Sequence, residues 1–253
     1  VYAWPSFAMY PIVTKGMGAT PVAVPLTEEM VHDLDAMRAA ITDRKRVVML
    51  CNPNNPTGTS VGAEAFDAFV ASLPDDVVLL VDEAYFEYVR REDFPDAIAW
   101  TRRRPGTLVL RTFSKIYGLA GLRVGYGVMD PELASYLERA RHPFNVNLLS
   151  EAAALAALDD VEHVARTLRV NREGAEDLSR ELGALGIEVW PTDANFLLAK
   201  AGAGSYERLL REGVIVRPMA GFGLPEHVRI TIGTPKENEK LIKALQKIRE
   251  GAR

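Results

Sequence analysis

The chain has 253 residues, which is enough to bury a large core in one large domain or two modest ones. Hydrophobic residues make up 48% and charged residues 25%, as is typical of a soluble globular protein. The net charge of −4 is small, so charge gives no reason to expect nucleic acid or an anionic membrane as a partner.

The residues that usually bind metals are sparse. Cys51 is the only cysteine, which excludes an internal disulfide and gives no basis for a cysteine-based metal site. The four histidines are scattered without a ligand spacing, and we expect each to be a surface or hydrogen-bonded residue: His32, His142, His163 and His227. No metal site is therefore predicted.

Targeting segments are not evident. No apolar run reaches membrane-spanning length, and no basic-then-apolar signal segment stands at the start, so we expect a cytoplasmic protein with no membrane partner. The opening VYAWPSFAMYPI has no initiator methionine and is typical of the inside of a domain. We therefore expect the N-terminal part of the first domain to be missing from this sequence.

The first two-thirds alternate short aliphatic strands with amphipathic helices. Helices are expected after Thr27 and after Ser60, and a further helix begins at Asp130-Pro131. Uninterrupted aliphatic runs favour strands that are buried on both faces, as in a parallel sheet covered by helices. The predicted class is a three-layer α/β fold with a mostly parallel sheet, whose strands are RVVMLC (46–51), DVVLLVD (76–82), TLVLRT (107–112) and LRVGYGV (122–128).

The character changes from about Asn147. Long alanine- and leucine-rich helices come first, and short strands return in ANFLLA (194–199), VIVRP (214–218) and VRITIG (228–233). The last helix begins at Thr234-Pro235-Lys236-Glu237, a capping box. We predict a larger domain over residues 1–146 and a smaller α+β domain over residues 147–253.

The segment RTFSKIYGLAGLRVGYG (111–127) follows a predicted buried strand. A surface loop with a solvated lysine would explain Lys115, but it would not explain four glycines, each of which loosens the backbone. A neutral lysine forms a Schiff base with an aldehyde cofactor, and a partly desolvated, cation-flanked lysine is more often neutral. Arg123 could supply that cation and also hold a phosphate, with Thr112 and Ser114 as further donors.

Two segments upstream also follow predicted strands. CNPNNPTGT (51–59) is either a simple turn or a loop in which a cis Asn55-Pro56 bond aims the Asn55 amide at a ligand. Open α/β sheets bind ligands at the carboxyl ends of their strands. Asp82 ends the next strand, and Tyr85 follows three residues later. Asp82 either caps the next element or keeps a pyridine nitrogen protonated.

Taken together, these segments resemble one family. The order N-P-T-G, then D-x-x-Y after a strand, then S-K with an arginine eight residues on resembles the fold-type I pyridoxal-phosphate aminotransferases. The nearest match is the histidinol-phosphate aminotransferase branch. The resemblance runs from end to end of the chain and includes Asn195-Phe196, Arg217-Pro218 and the terminal VRITIGTPKEN.

The resemblance implies a role for each candidate residue around pyridoxal 5'-phosphate. Lys115 would carry the cofactor and Asp82 would pair with its pyridine nitrogen. The other contacts implied are Asn55 and Tyr85 to the phenolic oxygen, Thr112, Ser114 and Arg123 to the phosphate, Phe7 stacked on the ring, and Arg217 and Arg229 to the substrate. Strand alternation places Arg229 on the face opposite Val228 and Ile230.

The implied activity is histidinol-phosphate transamination with 2-oxoglutarate, in a homodimer whose other partners are a small-molecule amino donor and an oxo acid. An aromatic amino acid transaminase stays open because a guanidinium suits a phosphate and a carboxylate equally well. A phosphate-ester decarboxylase and a catalytically silent fragment also stay open, since the family's N-terminal arm and phosphate loop are missing here. A nicotinamide-binding enzyme is disfavoured, because GLAGLRVG lacks the G-x-G-x-x-G spacing.

Overall fold

The structure is a computed structural model and describes residues 1–250. A six-stranded sheet has the order β2-β1-β3-β4-β5-β6, where β1–β5 are parallel and β6 runs antiparallel to β5. The mostly parallel α/β class is thus confirmed. The strand bounds are β1 Tyr2–Trp4, β2 Ala23–Pro25, β3 Val47–Cys51, β4 Val78–Asp82, β5 Thr107–Thr112 and β6 Gly125–Met129.

Helices cover this sheet. Helix α3, which is the helix predicted after Ser60, buries Phe66, Phe69 and Val70 against strand residues such as Leu50 and Leu79. Each such side chain contributes about 1.5–3 kcal/mol by leaving water, so this packing holds the sheet and aligns its carboxyl ends. The helix bounds are α1 Met9–Gly16, α2 Leu34–Ala39, α3 Ala63–Ser72, α4 Ala97–Arg103 and α5 Pro131–Ala140.

The rest of the chain forms a second sheet, which is antiparallel and has the order β7-β8-β10-β9. Its own core joins Leu178 and Leu182 to Leu197, Ile230 and Leu241. The change to helices followed by short strands was predicted, and the division at residues 146 and 147 stays a prediction. The bounds are α6 Leu148–Asp159, α7 Val161–Ala184, β7 Glu188–Val189, β8 Phe196–Lys200, α8 Ser205–Arg211, β9 Arg217–Pro218, β10 Val228–Thr231 and α9 Pro235–Glu250.

The predicted starts of α5 and α9 are confirmed by their caps, whereas the helix predicted after Thr27 begins only at Leu34, with Asp33 as its cap. Asp130 accepts from the backbone N–H of Glu132, and Pro131 fills the first position of α5, where no donor is needed. In the capping box of α9, the Glu237 carboxylate accepts from both the backbone N–H and the hydroxyl of Thr234, at 2.8 and 2.7 Å. These local signals fix the helix ends without help from distant residues.

Three expectations were wrong in detail. The cis bonds are Trp4-Pro5 and Asn52-Pro53 rather than Asn55-Pro56. Strand β6 begins at Gly125 and not at residue 122, because a 3-10 turn and the left-handed Arg123 (φ 57°) come first. Of the predicted strand 214–218, only Arg217–Pro218 pairs with another strand, β10.

Buried His32 also differs from expectation. It is 4% exposed, and neither ring nitrogen has a hydrogen-bond partner among residues 1–250. Burial lowers the pKa of His32 to about 4, so this side chain stays neutral near pH 7.

No helix in the described residues combines the length and apolar character that crossing a membrane requires. The same residues contain no group of three or more histidine, cysteine or acidic side chains arranged to hold a metal.

Candidate active site

A cavity of about 500 Å³ opens at the carboxyl ends of β4 and β5. Six predicted site residues line it: Phe7, Asp82, Thr112, Ser114, Lys115 and Arg123. The other four predicted site residues are not in its wall: Asn55, Tyr85, Arg217 and Arg229. Three of these, Asn55, Tyr85 and Arg229, form a group near Lys115. The cavity therefore joins residues that the sequence separates by more than a hundred positions.

Lys115 lies half-buried in the loop after β5, with its Nζ 5.0 Å from the centroid of the Tyr85 ring. Burial lowers the pKa of Lys115, and the positive charges of Arg229 and then Arg123 lower it further, while Asp82 acts in the opposite direction. Arg123 was the cation expected from the sequence, but Arg229 has the larger effect. The net result favours a neutral amine, which is the nucleophilic form.

Asp82 is the last residue of β4. Its Oδ2 accepts from the Tyr10 hydroxyl at 3.1 Å, and its Oδ1 accepts from the backbone N–H of Ala84 at 3.1 Å. Burial raises the pKa of Asp82, and these two donors, together with the charge of Lys115, oppose that rise. The carboxylate is thus held by two donors at the edge of the cavity.

Asn55, Tyr85 and Arg229 form one group around Phe196. The Tyr85 ring packs edge-on against the Phe196 ring at 5.2 Å, and the Arg229 guanidinium lies 4.8 Å from the centroid of that ring. Arg229 Nη1 donates to Asn55 Oδ1 at 2.6 Å, although the two residues are 174 positions apart. Burial lowers the pKa of Arg229, yet its Nε has no partner among the described residues.

The cavity wall carries two further kinds of side chain. The backbone N–H of Ser114 donates to Thr112 Oγ1 at 3.0 Å, and the exposed Arg123 donates to the carbonyl of Ala120 at 2.7 Å. Phe7 is 37% exposed, and its ring meets that of Tyr10 edge-on at 5.7 Å. The wall thus offers hydroxyl and guanidinium donors together with an aromatic ring.

Arg217 lies one strand beyond Arg229. The two are register partners across β9 and β10, and Arg217 is exposed. Its charge contributes to lowering the pKa of Arg229. Arg217 therefore lies beside the candidate site and outside the cavity wall.

Two residues of the site were missed from the sequence. Tyr10 lies on α1, which was not predicted; its spacing of three from Phe7 was the available signal. Arg111 lines the cavity. Its Nε donates to Glu83 Oε2 at 2.9 Å, and its Nη2 forms an ion pair with the same oxygen at 2.8 Å. Burial raises the pKa of Glu83 to about 7, which the adjacent Arg111 opposes.

Comparison with known proteins agrees with this geometry. The family model described as aminotransferase class I and II matches residues 1–245. Histidinol-phosphate aminotransferase 1 of Nitrosococcus oceani is 47% identical over 253 residues, covering 99% of this chain and 68% of that protein. Histidinol-phosphate aminotransferase 2 of Ralstonia nicotianae is 49% identical, covering 97% of this chain and 67% of that protein.

A solved structure has the same fold. Histidinol-phosphate aminotransferase from Sinorhizobium meliloti, in complex with pyridoxal-5'-phosphate, superposes with a TM-score of 0.92 at 28% identity, over 100% of this chain and 71% of that one. This chain thus spans about two-thirds of the length of these relatives. By the family match along nearly its whole length and by these relatives, the chain belongs to the class I and II aminotransferases.

Proposed function

We propose that this chain catalyses the transamination of histidinol phosphate with 2-oxoglutarate, giving imidazole acetol phosphate and glutamate. The observation that carries the proposal is the cavity in which the half-buried Lys115 amine lies with the Asp82 carboxylate and the donors of Thr112, Ser114 and Arg123. The names of the relatives supply the substrate.

The donor set of the cavity fits pyridoxal phosphate, the cofactor of this family. Lys115 would meet the aldehyde, and Asp82 would face the ring nitrogen. Thr112, Ser114 and Arg123 would hold the phosphate, with Phe7 against the ring face. Asn55 and Tyr85 would contact the phenolic oxygen from behind Lys115.

When bound, the cofactor supplies an electron-withdrawing ring that accepts the electron pair left at the amino-bearing carbon. The protein supplies proton transfer and orientation. The Lys115 Nζ would take the proton from that carbon and deliver it to the cofactor carbon that was the aldehyde, and burial and the charge of Arg229 favour this role because both lower the pKa of the amine. Asp82 would keep the ring nitrogen protonated, since a carboxylate stabilises an adjacent cation.

Arg229 and Arg217 are the proposed substrate contacts. Their adjacent guanidinium groups across β9 and β10 favour an anion with several oxygens, such as a phosphate ester. Arg229 alone, fixed on Asn55 next to Lys115, also suits an α-carboxylate. An aromatic amino acid is therefore the second candidate substrate, and the two are separated by comparing kcat/KM for histidinol phosphate and phenylalanine.

The decisive experiment replaces Lys115 with alanine and adds pyridoxal phosphate, histidinol phosphate and 2-oxoglutarate. We expect turnover to fall by about 1,000-fold or more, because both the nucleophile and the proton carrier are lost. We also expect the visible absorbance of the lysine-bound cofactor to disappear. Lys236→Ala, at an exposed lysine at the start of α9, serves as the control and should retain both properties.

Two outcomes would contradict the proposal. Turnover and absorbance that survive in Lys115→Ala would remove Lys115 from the chemistry. An unmodified chain that gains no visible absorbance with the cofactor would instead be a catalytically silent fragment of this fold.

We also propose that the chain acts as a homodimer in the cytoplasm. Large apolar side chains are strongly exposed between residues 144 and 161, including Phe144, Leu148, Leu149 and Val161. Contiguous exposed apolar surface is typical of a protein interface, which supports coverage by a second copy. The single cysteine, buried and unpaired, supports a reducing compartment.

A further inference from the structure

The Asp82 carboxylate lines the cavity and also contacts Tyr10, which lies outside the cavity wall. Its two oxygens each accept one hydrogen bond, Oδ2 from the Tyr10 hydroxyl and Oδ1 from the backbone of Ala84. The Ala84 bond links residues two apart and follows from the local turn. The Tyr10 bond joins residues 72 apart and depends on where α1 packs.

Tyr10 is held in place by its surroundings. It is 6% exposed and is the buried residue of α1. Its ring lies 6.0 Å from the ring of Tyr2 and 5.7 Å from that of Phe7, and it packs in a cluster with Cys51. A ring fixed on several sides positions its hydroxyl with little freedom, so the direction of the bond to Asp82 is set by the fold.

The bond from the Tyr10 hydroxyl favours the ionised form of Asp82. Burial raises the pKa of Asp82. Among the groups that oppose this rise, the Tyr10 hydroxyl has the largest effect, followed by the backbone of Ala84 and the charge of Lys115. Cys51 and Tyr85 are the other titratable side chains nearby, and burial raises the pKa of each, so both are neutral near pH 7.

We propose that Tyr10 is a positioning residue for Asp82: its hydroxyl donates to Oδ2, orients the carboxylate and keeps it ionised against the ring nitrogen of the cofactor. This inference rests on the proposed function, because it gives Asp82 its role there. Without the hydroxyl, Asp82 Oδ2 loses its only side-chain donor in the described residues, and the ring proton moves toward the carboxylate.

The test compares Tyr10→Phe with Tyr2→Phe. Each change removes one hydroxyl from a buried tyrosine of the same cluster, but only Tyr10 bonds to Asp82. Three quantities are measured: the dissociation constant of pyridoxal phosphate for the apoprotein, the pH midpoint of the visible absorbance of the bound cofactor, and the thermal unfolding of the apoprotein. The same quantities are measured for Asp82→Asn and for the double variant Tyr10→Phe/Asp82→Asn.

We expect Tyr10→Phe to bind the cofactor about 10-fold more weakly, because it loses a hydrogen bond to a charged group, and to shift the pH midpoint. Tyr2→Phe should retain both values. In the Asp82→Asn background, Tyr10→Phe should add little, because the two residues act as a pair. A merely structural role would instead lower the unfolding temperature by the same amount in both backgrounds.

The possible failures are distinguishable. If Tyr10→Phe matches Tyr2→Phe in affinity and pH midpoint, the positioning role is overturned while the function of Lys115 and Asp82 stands. If Tyr10→Phe weakens binding equally with and without Asp82, the effect does not pass through the carboxylate, and the inference is again overturned. If the unmodified chain binds no cofactor, the proposed function and this inference fall together.

Discussion

At the scale of single residues, the reactivity of Lys115 depends on its neighbours more than on its own loop. Burial and the charge of Arg229 lower its pKa, although Arg229 belongs to the other sheet. Arg229 is itself held by Asn55 and by the face of Phe196. The same guanidinium that is proposed to bind the substrate therefore also favours the neutral form of the lysine.

This arrangement predicts the effect of Arg229→Gln. Removing the positive charge favours protonation of Lys115, so its pKa should rise and less neutral amine should be present near pH 8. The measurement is the rate at which Lys115 of the apoprotein is acylated, followed against pH by mass spectrometry. The midpoint of that profile should move to higher pH.

Arg217→Gln is the matched control, because Arg217 is exposed and affects Arg229 rather than Lys115. Its labelling profile should stay close to that of the unmodified chain. Equal shifts in both variants, or no shift in Arg229→Gln, would show that Arg229 is not the cation that controls Lys115.

At the scale of elements, the loop after β3 contacts the loop before β8 directly. The backbone N–H of Asp193 donates to the carbonyl of Gly58 at 2.8 Å, and Ser60 donates to the Asp193 carboxylate. Gly58 has φ +80°, and a Cβ added there would overlap the hydroxyl of Thr192. Only glycine combines this backbone with so close an approach.

Gly58→Ala should therefore be strongly destabilising. A positive φ costs a residue with a Cβ about 1–2 kcal/mol, and overpacking adds about 1–3 kcal/mol, so we expect a loss of about 2–5 kcal/mol in the free energy of unfolding. Gly183 lies near the end of α7, and a Cβ added there would meet open space. Gly183→Ala should therefore raise the free energy of unfolding by up to about 1 kcal/mol. Urea unfolding of both variants tests this, and a Gly58→Ala variant as stable as Gly183→Ala would contradict it.

Elements whose signals are local were predictable from the sequence. The helix after Ser60, the Asp130-Pro131 start of α5 and the Thr234 capping box are each indicated by residues that are only a few positions apart. Short elements with mixed patterns were not predictable: α1 carries Pro11 in its first turn and one buried residue, and β9 pairs over two residues only.

The candidate site divides in the same way. Asp82 and Thr112 end β4 and β5, and Lys115 follows in the loop after β5, so the sequence pattern alone indicates a shared edge. The bond between Arg229 and Asn55 and the bond between Tyr10 and Asp82 join distant positions, so they depend on how the elements pack. Motif spacing specifies which residues reach the site, and packing decides which of them touch.

At the scale of the whole molecule, the two sheets contact each other through a few specific groups. Trp4, at the end of β1, stacks on Phe222 with ring centroids 5.4 Å apart, and the Asp193 carboxylate accepts from Ser60 and from the backbone of Arg90. Each sheet keeps a separate core. This arrangement suits the proposed division at residues 146 and 147, and it leaves the segment 141–149 exposed between the two parts.

That exposed segment yields the last prediction, which concerns the assembly. If a second copy covers the apolar side chains of α6, the chain should have twice its mass of 27.9 kDa in light scattering. The double variant Leu148→Glu/Leu149→Glu should then dissociate to single chains, because each leucine contributes about 1.5–3 kcal/mol when buried and a glutamate there would be desolvated. Ile215→Glu is the control, since Ile215 is 82% exposed and lies outside α6, in the loop before β9. Dissociation in the control as well, or a single-chain mass without any substitution, would remove the support that these leucines give to a homodimer.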